Sequence, residues 1–210
     1  MYRRFFKRTL DLFLSSIGFI LLLPLSFVIF LVLYISNEGK PIFLQPRPGK
    51  NEKIFYIFKF KTMNDKKDWH GKLLPDEKRI TKFGAFLRKT SLDEIPQLLN
   101  IIKGEMSLIG PRPLRVRYLP YYTKEEQLRH SIRPGITGLA QVSGRNLLNW
   151  DDRLQKDIEY VKNISFALDF KILVQTFLKV IAAKDIALDS DSGMIDFDVL
   201  RKTSIQNKDN

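Results

Sequence analysis

The first forty residues contain one long uncharged stretch. No charged side chain occurs from Leu12 to Ser36, where most positions are Leu, Ile, Phe or Val. About 20 apolar residues suffice to cross a bilayer, so length alone permits one span. Pro24 separates two apolar arms, Leu12–Leu23 and Leu25–Ile35, of 12 and 11 residues. Each arm reaches about 17 Å as a helix, roughly half of the ~30 Å hydrocarbon core. A proline inside a helix also removes a hydrogen bond and costs about 3 kcal/mol.

Basic residues flank this stretch on both sides, and basic flanks stay in the cytoplasm. They are Arg3, Arg4, Lys7 and Arg8 before it, and Lys40, Arg47, Lys50 and Lys53 after it. The sequence therefore predicts a re-entrant membrane helix over residues 1–37 that bends near Pro24, with Ser15, Ser16 or Ser26 able to bond the freed carbonyl groups. A kinked helix that spans the bilayer is the main alternative. A signal peptide is disfavoured because no small-residue cleavage site follows.

The rest of the chain has the pattern of a short β-hairpin followed by helices. The expected fold is α+β and mostly helical, with a cytosolic catalytic domain over residues 38–184 and a flexible acidic tail over residues 185–210. Strands are predicted at Pro41–Phe43 and Lys53–Thr62 around a turn region Gln45–Glu52, helices at Thr81–Lys89, Asn149–Lys162 and Ser165–Ala183, and loops at Gly104–Pro113 and Arg133–Arg145.

Two helices carry further expectations. The helix after Ser91 should begin near Asp93 or Glu94, because the ring of Pro96 would clash with a helical carbonyl four residues back. The helix Ser165–Ala183 has an apolar stripe, which is predicted to face the core by default and a membrane interface as the alternative. The stripe consists of Phe166, Phe170, Leu173, Phe177, Val180 and Ile181.

The charge is strongly positive and uneven. The formal net charge is +12, and up to Lys184 there are 32 basic and 17 acidic residues. Such a surface implies an anionic partner: nucleic acid, a phosphorylated substrate or anionic lipid. The chain has no cysteine, which excludes disulfides and thiolate metal sites. His70 and His130 lack metal-ligand spacing and are interpreted as surface or structural residues.

Two groups of residues could carry chemistry. Asp93 and Glu94 lie at the mouth of a predicted helix, where free amides and the helix dipole favour both an ionised carboxylate and a bound phosphate; acidic residues at a helix start also simply stabilise it. Arginines sit in proline- and glycine-rich settings that limit the entropy lost on binding phosphate, although each such loop could be ordinary surface. These arginines are Arg47, Arg112, Arg133 and Arg145.

Several long motifs in order resemble the bacterial sugar transferase family, the monotopic polyprenyl-phosphate phosphoglycosyl transferases. They are Lys59-Phe-Lys-Thr-Met, Ser91-Leu-Asp-Glu-Ile-Pro-Gln-Leu-Leu-Asn, Lys103-Gly-Glu-Met-Ser-Leu-Ile-Gly-Pro-Arg-Pro and Arg133-Pro-Gly-Ile-Thr-Gly-Leu-Ala-Gln-Val-Ser-Gly-Arg-Asn. The resemblance runs from about Tyr2 to Lys179. It is greatest to the small members, such as the initiating enzyme of bacterial N-linked protein glycosylation. Family members bend their helix at Ser-Pro, whereas this chain has Leu23-Pro24.

The resemblance implies transfer of a sugar 1-phosphate from a UDP-sugar to undecaprenyl phosphate, with release of UMP. Asp93 would be the nucleophile that forms a covalent phosphosugar and the main ligand of Mg²⁺, and Glu94 would assist. Lys59, Arg88, Arg112 and Arg145 would bind the phosphates. The sugar stays open, with UDP-N,N′-diacetylbacillosamine or another N-acetylated amino sugar as candidates. The implied location is the cytoplasmic face of the bacterial inner membrane, among anionic lipids and later glycosyltransferases of the pathway.

Three other functions account for less of the sequence. A membrane-tethered nucleic-acid binder would explain the charge but not the acidic pair, and no nucleic-acid fingerprint is present. A conventional glycosyltransferase would release UDP and often carries Asp-X-Asp, which occurs here only at Asp189-Ser-Asp191, beyond the resembling segment. A non-catalytic scaffold would not need the Asp93-Glu94 pair. No nucleic acid is expected as a partner.

Overall fold

A computed structural model describes residues 1–144, 148–181 and 195–206. A long N-terminal helix lies against a domain of shorter helices, one antiparallel hairpin and one pair of parallel strands, so the mostly helical fold with a short hairpin is confirmed. The helices are α1 (Lys7–Ser36), α2 (Asp76–Arg79), α3 (Lys82–Lys89), α4 (Gln97–Lys103), α5 (Leu139–Ser143), α6 (Trp150–Lys162), α7 (Phe166–Ile181) and α8 (Phe197–Gln206). The strands are β1 (Ile42–Pro48), β2 (Ile54–Phe60), β3 (Ser107–Ile109) and β4 (Gly135–Thr137).

Helix α1 contacts the domain near both of its ends. It is one α-helix of 30 residues with Pro24 inside it, and by length and apolar composition it could cross a membrane. Near its start, Arg8 donates a hydrogen bond of 2.7 Å to the carbonyl of Ile101. Just past its end, the Asn37 side chain donates one of 2.6 Å to the carbonyl of Lys61. Both ends of α1 therefore lie beside the same domain.

One stripe of α1 faces the domain, while most of its other surface is exposed and apolar. The stripe recurs every three or four residues, the spacing of one helical face; it consists of Asp11, Ser15, Gly18, Leu22, Ser26, Ile29, Leu33 and Asn37. The hydroxyls of Ser15 and Ser26 have no hydrogen-bond partner among the described residues. The prediction that either one bonds the backbone at Pro24 is therefore wrong. A serine hydroxyl reaches back three or four residues, so neither position reaches the carbonyl of Ile20.

The hairpin is longer than predicted. Strands β1 and β2 pair antiparallel, from Ile42 opposite Phe60 to Pro48 opposite Ile54. The predicted turn region is thus wrong in its first half, where residues 45–48 belong to β1. Prolines fit there because β1 is an edge strand, on which a missing N–H can point away from the partner strand. The second predicted strand is confirmed as β2.

Helix α3 packs in backbone contact with the residues after β2. A Cβ atom on Gly84 would lie 2.0 Å from the carbonyl oxygen of Thr62. Thr81 caps the helix by accepting a 2.9 Å hydrogen bond from the amide of Gly84. The predicted helix Thr81–Lys89 is confirmed, and its close approach to Thr62 fixes the side chain of Arg88, one turn after Gly84.

We expect Gly84→Ala to lower the free energy of unfolding by about 1–3 kcal/mol, because the added methyl group must push α3 away from Thr62. Chemical denaturation in detergent would measure this loss. Gly18→Ala is the matched control: its Cβ would meet nothing closer than 3.8 Å, and alanine favours a helix over glycine. Equal stability of the Gly84 variant and the wild type would show that the contact is not tight.

The two segments predicted as loops contain short strands that pair in parallel. Ser107 lies opposite Gly135, and Ile109 lies opposite Thr137. A Cβ atom on Gly135 would lie 2.1 Å from the amide nitrogen of Gly110, so the two glycines permit the crossing. Strands of three residues have too little periodicity to be recognised in a sequence. This close approach of Gly135 to Gly110 fixes the backbone at the start of the Gly110-Pro-Arg-Pro motif.

Four of the six stripe residues on α7, Phe166, Phe170, Leu173 and Phe177, are exposed, so the default prediction of a core stripe is wrong. The side chains of Phe166, Phe170 and Phe177 are 57%, 57% and 65% exposed. The buried side of α7 instead carries Ile172 and Asp169, whose carboxylate accepts hydrogen bonds from Tyr2, Lys7 and Tyr160. An exposed apolar face of this kind marks an interaction surface, which favours the membrane-interface alternative.

Part of the C-terminal tail differs from the flexible segment predicted over residues 185–210. Within the described residues 195–206, helix α8 packs on the domain, and Phe197 is fully buried. Its ring lies in a pocket of tyrosines and a tryptophan, and a sequence without clear periodicity does not reveal such a pocket. Asp189-Ser-Asp191 lies outside the described residues.

Candidate active site

The two acidic residues lie on a single 3-10 turn, Leu92–Glu94, just before α4. Ser91, which precedes the turn, has a left-handed φ of 57°, and α4 begins only after Pro96. The predicted helix start at Asp93 or Glu94 is therefore wrong by about one turn, because a 3-10 turn occupies this position, in which the amide of Ile95 bonds the carbonyl of Leu92 at 3.3 Å. The acidic pair keeps its place beside the N-terminal end of α4.

The Glu94 carboxylate is held by two cations. Its Oε1 atom accepts hydrogen bonds from Lys59 Nζ at 2.7 Å and from Arg112 Nη2 at 3.0 Å. Burial alone would raise the pKa of Glu94, but the two cations outweigh it and hold the pKa well below its ordinary value. Glu94 is thus an anion at neutral pH and serves to orient Lys59 and Arg112.

Asp93 lies in a different environment. Its side chain is 11% exposed, and Lys59 Nζ lies 3.8 Å from its Oδ2 atom. Burial, followed by repulsion from Glu94, raises the pKa of Asp93 to about 6, although the positive charges of Lys59, Arg88 and Arg112 act in the opposite direction. Asp93 is therefore ionised at neutral pH and more basic than an ordinary aspartate. Two neighbouring carboxylates with separated pKa values commonly have separate chemical roles.

Arg88 is aimed by a hydrogen bond that the sequence did not indicate. Its Nε atom donates to Thr62 Oγ1 at 2.9 Å, and its charge acts on Asp93. Thr62 belongs to the Lys59-Phe-Lys-Thr motif, so one short segment both supplies Lys59 to the site and orients Arg88. The four predicted residues Asp93, Glu94, Lys59 and Arg88 are brought together.

Arg112 is positioned through its backbone by a buried ion pair. Arg129 and Asp157 have side chains that are 2% and 3% exposed, and they form a 2.8 Å salt bridge. The Nη2 atom of Arg129 also donates a 2.7 Å hydrogen bond to the carbonyl of Arg112. An arginine held this way is preorganised to bind an anion, which reduces the entropy lost on binding. The sequence does not reveal this pair, because its members are 28 residues apart.

Lys59 is positioned through β2 by Asn100, a second residue that sequence reasoning missed. The Asn100 side chain accepts a 3.0 Å hydrogen bond from the amide of Phe58 and donates one of 2.8 Å to the carbonyl of Tyr56. It is fully buried in α4. An asparagine within the apolar run Leu98–Ile102 was the one signal that could have identified it, because a buried amide requires partners.

The carboxylates of Asp93 and Glu94 suit a divalent cation that binds together with substrate. Among the described residues no group of three or more His, Asp or Glu side chains could hold a metal ion by itself. Mg²⁺ usually keeps several waters and is bound by one or two carboxylates plus substrate phosphates. Asp93 fits this requirement, and the Glu94 oxygen that bonds Lys59 and Arg112 is already engaged.

Other predicted residues lie elsewhere. Arg145 falls outside the described residues, so its predicted role stays a prediction. Arg47 bonds Gln45 on β1 at 2.7 Å. His70 is exposed, whereas His130 is buried, with its pKa lowered to about 3 by burial and by the charge of Arg129. A neutral, buried His130 agrees with a structural role.

Comparison with known proteins gives a consistent picture. Residues 2–183 match the sequence model of the bacterial sugar transferase family. An uncharacterised sugar transferase of Bacillus subtilis (strain 168), EpsL, is 46% identical over 182 residues, which cover 86% of this chain and 89% of that protein. Two longer relatives are also similar. A UDP-glucose:undecaprenyl-phosphate glucose-1-phosphate transferase of Xanthomonas campestris pv. campestris is 37% identical over 85% of this chain and 39% of its own length. An undecaprenyl-phosphate galactose phosphotransferase of Salmonella typhimurium (strain LT2) is 39% identical over 87% of this chain and 41% of its own length.

Proposed function

Because this chain belongs to the bacterial sugar transferase family, we propose that it transfers a sugar 1-phosphate from a UDP-sugar to undecaprenyl phosphate and releases UMP. One observation carries the proposal. A buried carboxylate with a pKa raised to about 6, Asp93, stands among three cations, while its neighbour Glu94 is fixed by two of them. That arrangement provides a nucleophile and an anion-binding surface at the same point.

In the first step, a carboxylate oxygen of Asp93 attacks the β-phosphorus of the UDP-sugar. A bond forms between that oxygen and phosphorus, and the bond from phosphorus to the bridging oxygen breaks, so the electron pair leaves with UMP. Lys59, Arg88 and Arg112 offset the charge that accumulates on the phosphoryl oxygens. The product is a phosphosugar joined to Asp93 as an acyl phosphate.

In the second step, a phosphate oxygen of undecaprenyl phosphate attacks the phosphorus of this intermediate. The bond to Asp93 breaks, the carboxylate is regenerated, and the sugar remains on a diphosphate linked to the lipid. Covalent catalysis of this kind divides one difficult displacement into two easier ones. Bound Mg²⁺ would offset phosphate charge in both steps, with Asp93 as its main protein ligand.

The contacts of α1 support a re-entrant arrangement in the membrane. A helix of 30 residues is about 45 Å long, more than the ~30 Å hydrocarbon core. If α1 crossed the bilayer, one of its ends would lie on the far side, yet Arg8 and Asn37 both bond backbone carbonyls of the same domain. We infer that both ends stay at the cytoplasmic face of the bacterial inner membrane. The exposed apolar sides of α1 and α7 then meet lipid, where the acceptor resides.

Cysteine labelling tests this topology cleanly, because the chain contains no cysteine of its own. Tyr2→Cys and Lys50→Cys flank α1, and a membrane-impermeant maleimide should label both in inside-out vesicles and neither in right-side-out vesicles. Labelling of the two positions from opposite sides would contradict the re-entrant arrangement and establish the kinked spanning helix.

The donor sugar is the open part of the proposal. The names of two relatives specify glucose and galactose, whereas the resemblance to the small N-glycosylation enzyme suggests an N-acetylated amino sugar such as N,N′-diacetylbacillosamine.

The purified protein should be incubated with Mg²⁺, undecaprenyl phosphate and both classes of UDP-sugar, with free UMP and UDP measured. Lipid-dependent UMP release with one donor would support the proposal. UDP in its place would indicate a conventional glycosyltransferase, and salt-sensitive oligonucleotide binding without either product would favour the nucleic-acid alternative.

The pH dependence should reveal the nucleophile. Attack requires the deprotonated form of Asp93, so at a fixed subsaturating donor concentration the rate should be constant above about pH 7. Below the pKa of Asp93, which is raised to about 6, the rate should decrease with a limiting slope of about tenfold per pH unit. Glu94→Gln removes a repelling charge, so the pKa of Asp93 should decrease and the acid limb should move to lower pH. If the acid limb stays at the same pH in this variant, the observed pKa does not belong to Asp93.

A further inference from the structure

Helix α8 lies beyond the segment matched by the family model, residues 2–183, yet it is anchored in the domain. The ring of Phe197 is fully buried and packs 5.5 Å from Tyr118, 5.2 Å from Tyr122 and 5.4 Å from Trp150, between ring centroids. Trp150 also donates a 2.8 Å hydrogen bond to the carbonyl of Ile195. These contacts place α8 against the 3-10 segment Val116–Tyr121, which follows the Arg112 motif.

Acidic residues at the start of α8 complete this attachment. The Asp196 carboxylate accepts hydrogen bonds from Arg115 at 3.0 Å and from the hydroxyl of Tyr118 at 2.7 Å, and it also pairs with Arg117. Further along the helix, Arg201 donates a 2.8 Å hydrogen bond to Asp151 on α6. A buried aromatic ring and charged contacts on both sides hold α8 in one position.

Two connections lead from α8 to the active site. Leu114, two residues after Arg112, is buried in the same cluster as Phe197. In addition, the hydroxyl of Tyr122, whose ring stacks on Phe197, accepts a 3.3 Å hydrogen bond from Arg129. Arg129 in turn holds the carbonyl of Arg112 at 2.7 Å. Helix α8 is thus connected to Arg112 in two ways, through the cluster that contains Leu114 and through Tyr122, which bonds Arg129.

We propose that α8 is a positioning element for catalysis and that Phe197 and Asp196 are positioning residues that act through Arg112. This rests on the proposed phosphoglycosyl transfer, in which Arg112 stabilises phosphate charge. With α8 seated, the backbone from Arg112 to Leu114 is fixed before substrate binds, so little ordering remains to oppose the transition state. With α8 displaced, Arg112 keeps its charge but loses its fixed geometry.

The test uses full-length variants Phe197→Ala and Asp196→Asn, with Val199→Ala as the control because its side chain is 49% exposed on the same helix. Phe197→Ala should lower kcat for UMP release about tenfold, Asp196→Asn less, and Val199→Ala by less than twofold. The tenfold decrease in kcat should disappear in an Arg112→Lys background. There, Phe197→Ala should change kcat by less than twofold, because the effects of coupled residues are not additive. An undiminished tenfold loss in that background would overturn the proposal, because it would indicate general destabilisation.

Amide hydrogen exchange keeps this test independent of turnover. Exchange over residues 112–119 should be faster in Phe197→Ala than in wild type, and unchanged in Val199→Ala. Equal exchange over residues 112–119 in Phe197→Ala and wild type, with α8 itself exchanging faster, would overturn the role of α8. Wild-type protein that releases no UMP with any donor would instead contradict the proposed function, while the exchange data would still report on whether α8 orders the Arg112 segment.

Discussion

Replacing Asp93 by asparagine is expected to reduce UMP release by at least about 10³-fold, the scale on which loss of a catalytic nucleophile acts. Asparagine keeps the shape of the side chain, and the bonds from Lys59 and Arg112 to Glu94 do not involve Asp93. The amide, however, is far too weak a nucleophile to form an acyl phosphate. Initial rates with the preferred donor, at saturating Mg²⁺ and undecaprenyl phosphate, would measure the loss.

Asp152→Asn is the matched control for this variant, because Asp152 is an exposed carboxylate on the first turn of α6. It should retain wild-type activity, and both variants should keep the wild-type melting temperature. An Asp93→Asn protein that keeps more than about a tenth of the activity would contradict a covalent role for this residue and point to direct transfer between the two substrates.

Breaking the buried ion pair behind Arg112 is expected to have the largest effect on stability. Asp157→Leu leaves Arg129 charged at a position where its side chain is 2% exposed. Removal of one partner from a buried pair typically costs about 3–5 kcal/mol, because the remaining charge has lost its compensation. Urea unfolding in detergent micelles, followed by the fluorescence of buried Trp150, would measure the loss in the free energy of unfolding.

The double variant Arg129→Met with Asp157→Leu separates stability from positioning. Replacing both charges by apolar side chains should restore most of the lost stability. Activity should nevertheless remain low, because the carbonyl of Arg112 no longer receives the 2.7 Å hydrogen bond from Arg129. A double variant as unstable as the single one would show that the unpaired charge is not the cause. Full activity in a stable double variant would show that Arg129 does not position Arg112.

Local signals in the sequence predicted most of the elements around the site. The helices predicted at Thr81–Lys89 and Asn149–Lys162 and the β-forming run at Lys53–Thr62 each depend on neighbouring residues, and all three appear in the structure. The assembly of Lys59, Arg88 and Arg112 around the acidic pair followed from a family resemblance. Local pattern alone could not have brought together residues from four separate segments.

The features that escaped prediction depend on long-range contacts. Asn100 holds β2 across 42 and 44 residues, and the rings that surround Phe197 are 79, 75 and 47 residues earlier in the chain. Neither contact leaves a periodic trace in the sequence. The prediction that the α7 stripe faces the core was wrong for a different reason. Helical spacing shows that an apolar face exists, but the rest of the fold determines whether this face is buried or exposed.

The most direct test of covalent catalysis is intact-protein mass spectrometry after rapid mixing with the UDP-sugar in the absence of undecaprenyl phosphate. We expect close to one equivalent of UMP and a mass increase equal to one phosphosugar. Peptide mapping should place that increase on Asp93, and the increase should be lost when undecaprenyl phosphate is added. UMP that appears only when the lipid acceptor is present, with no mass increase under conditions that preserve acyl phosphates, would contradict a covalent intermediate on Asp93.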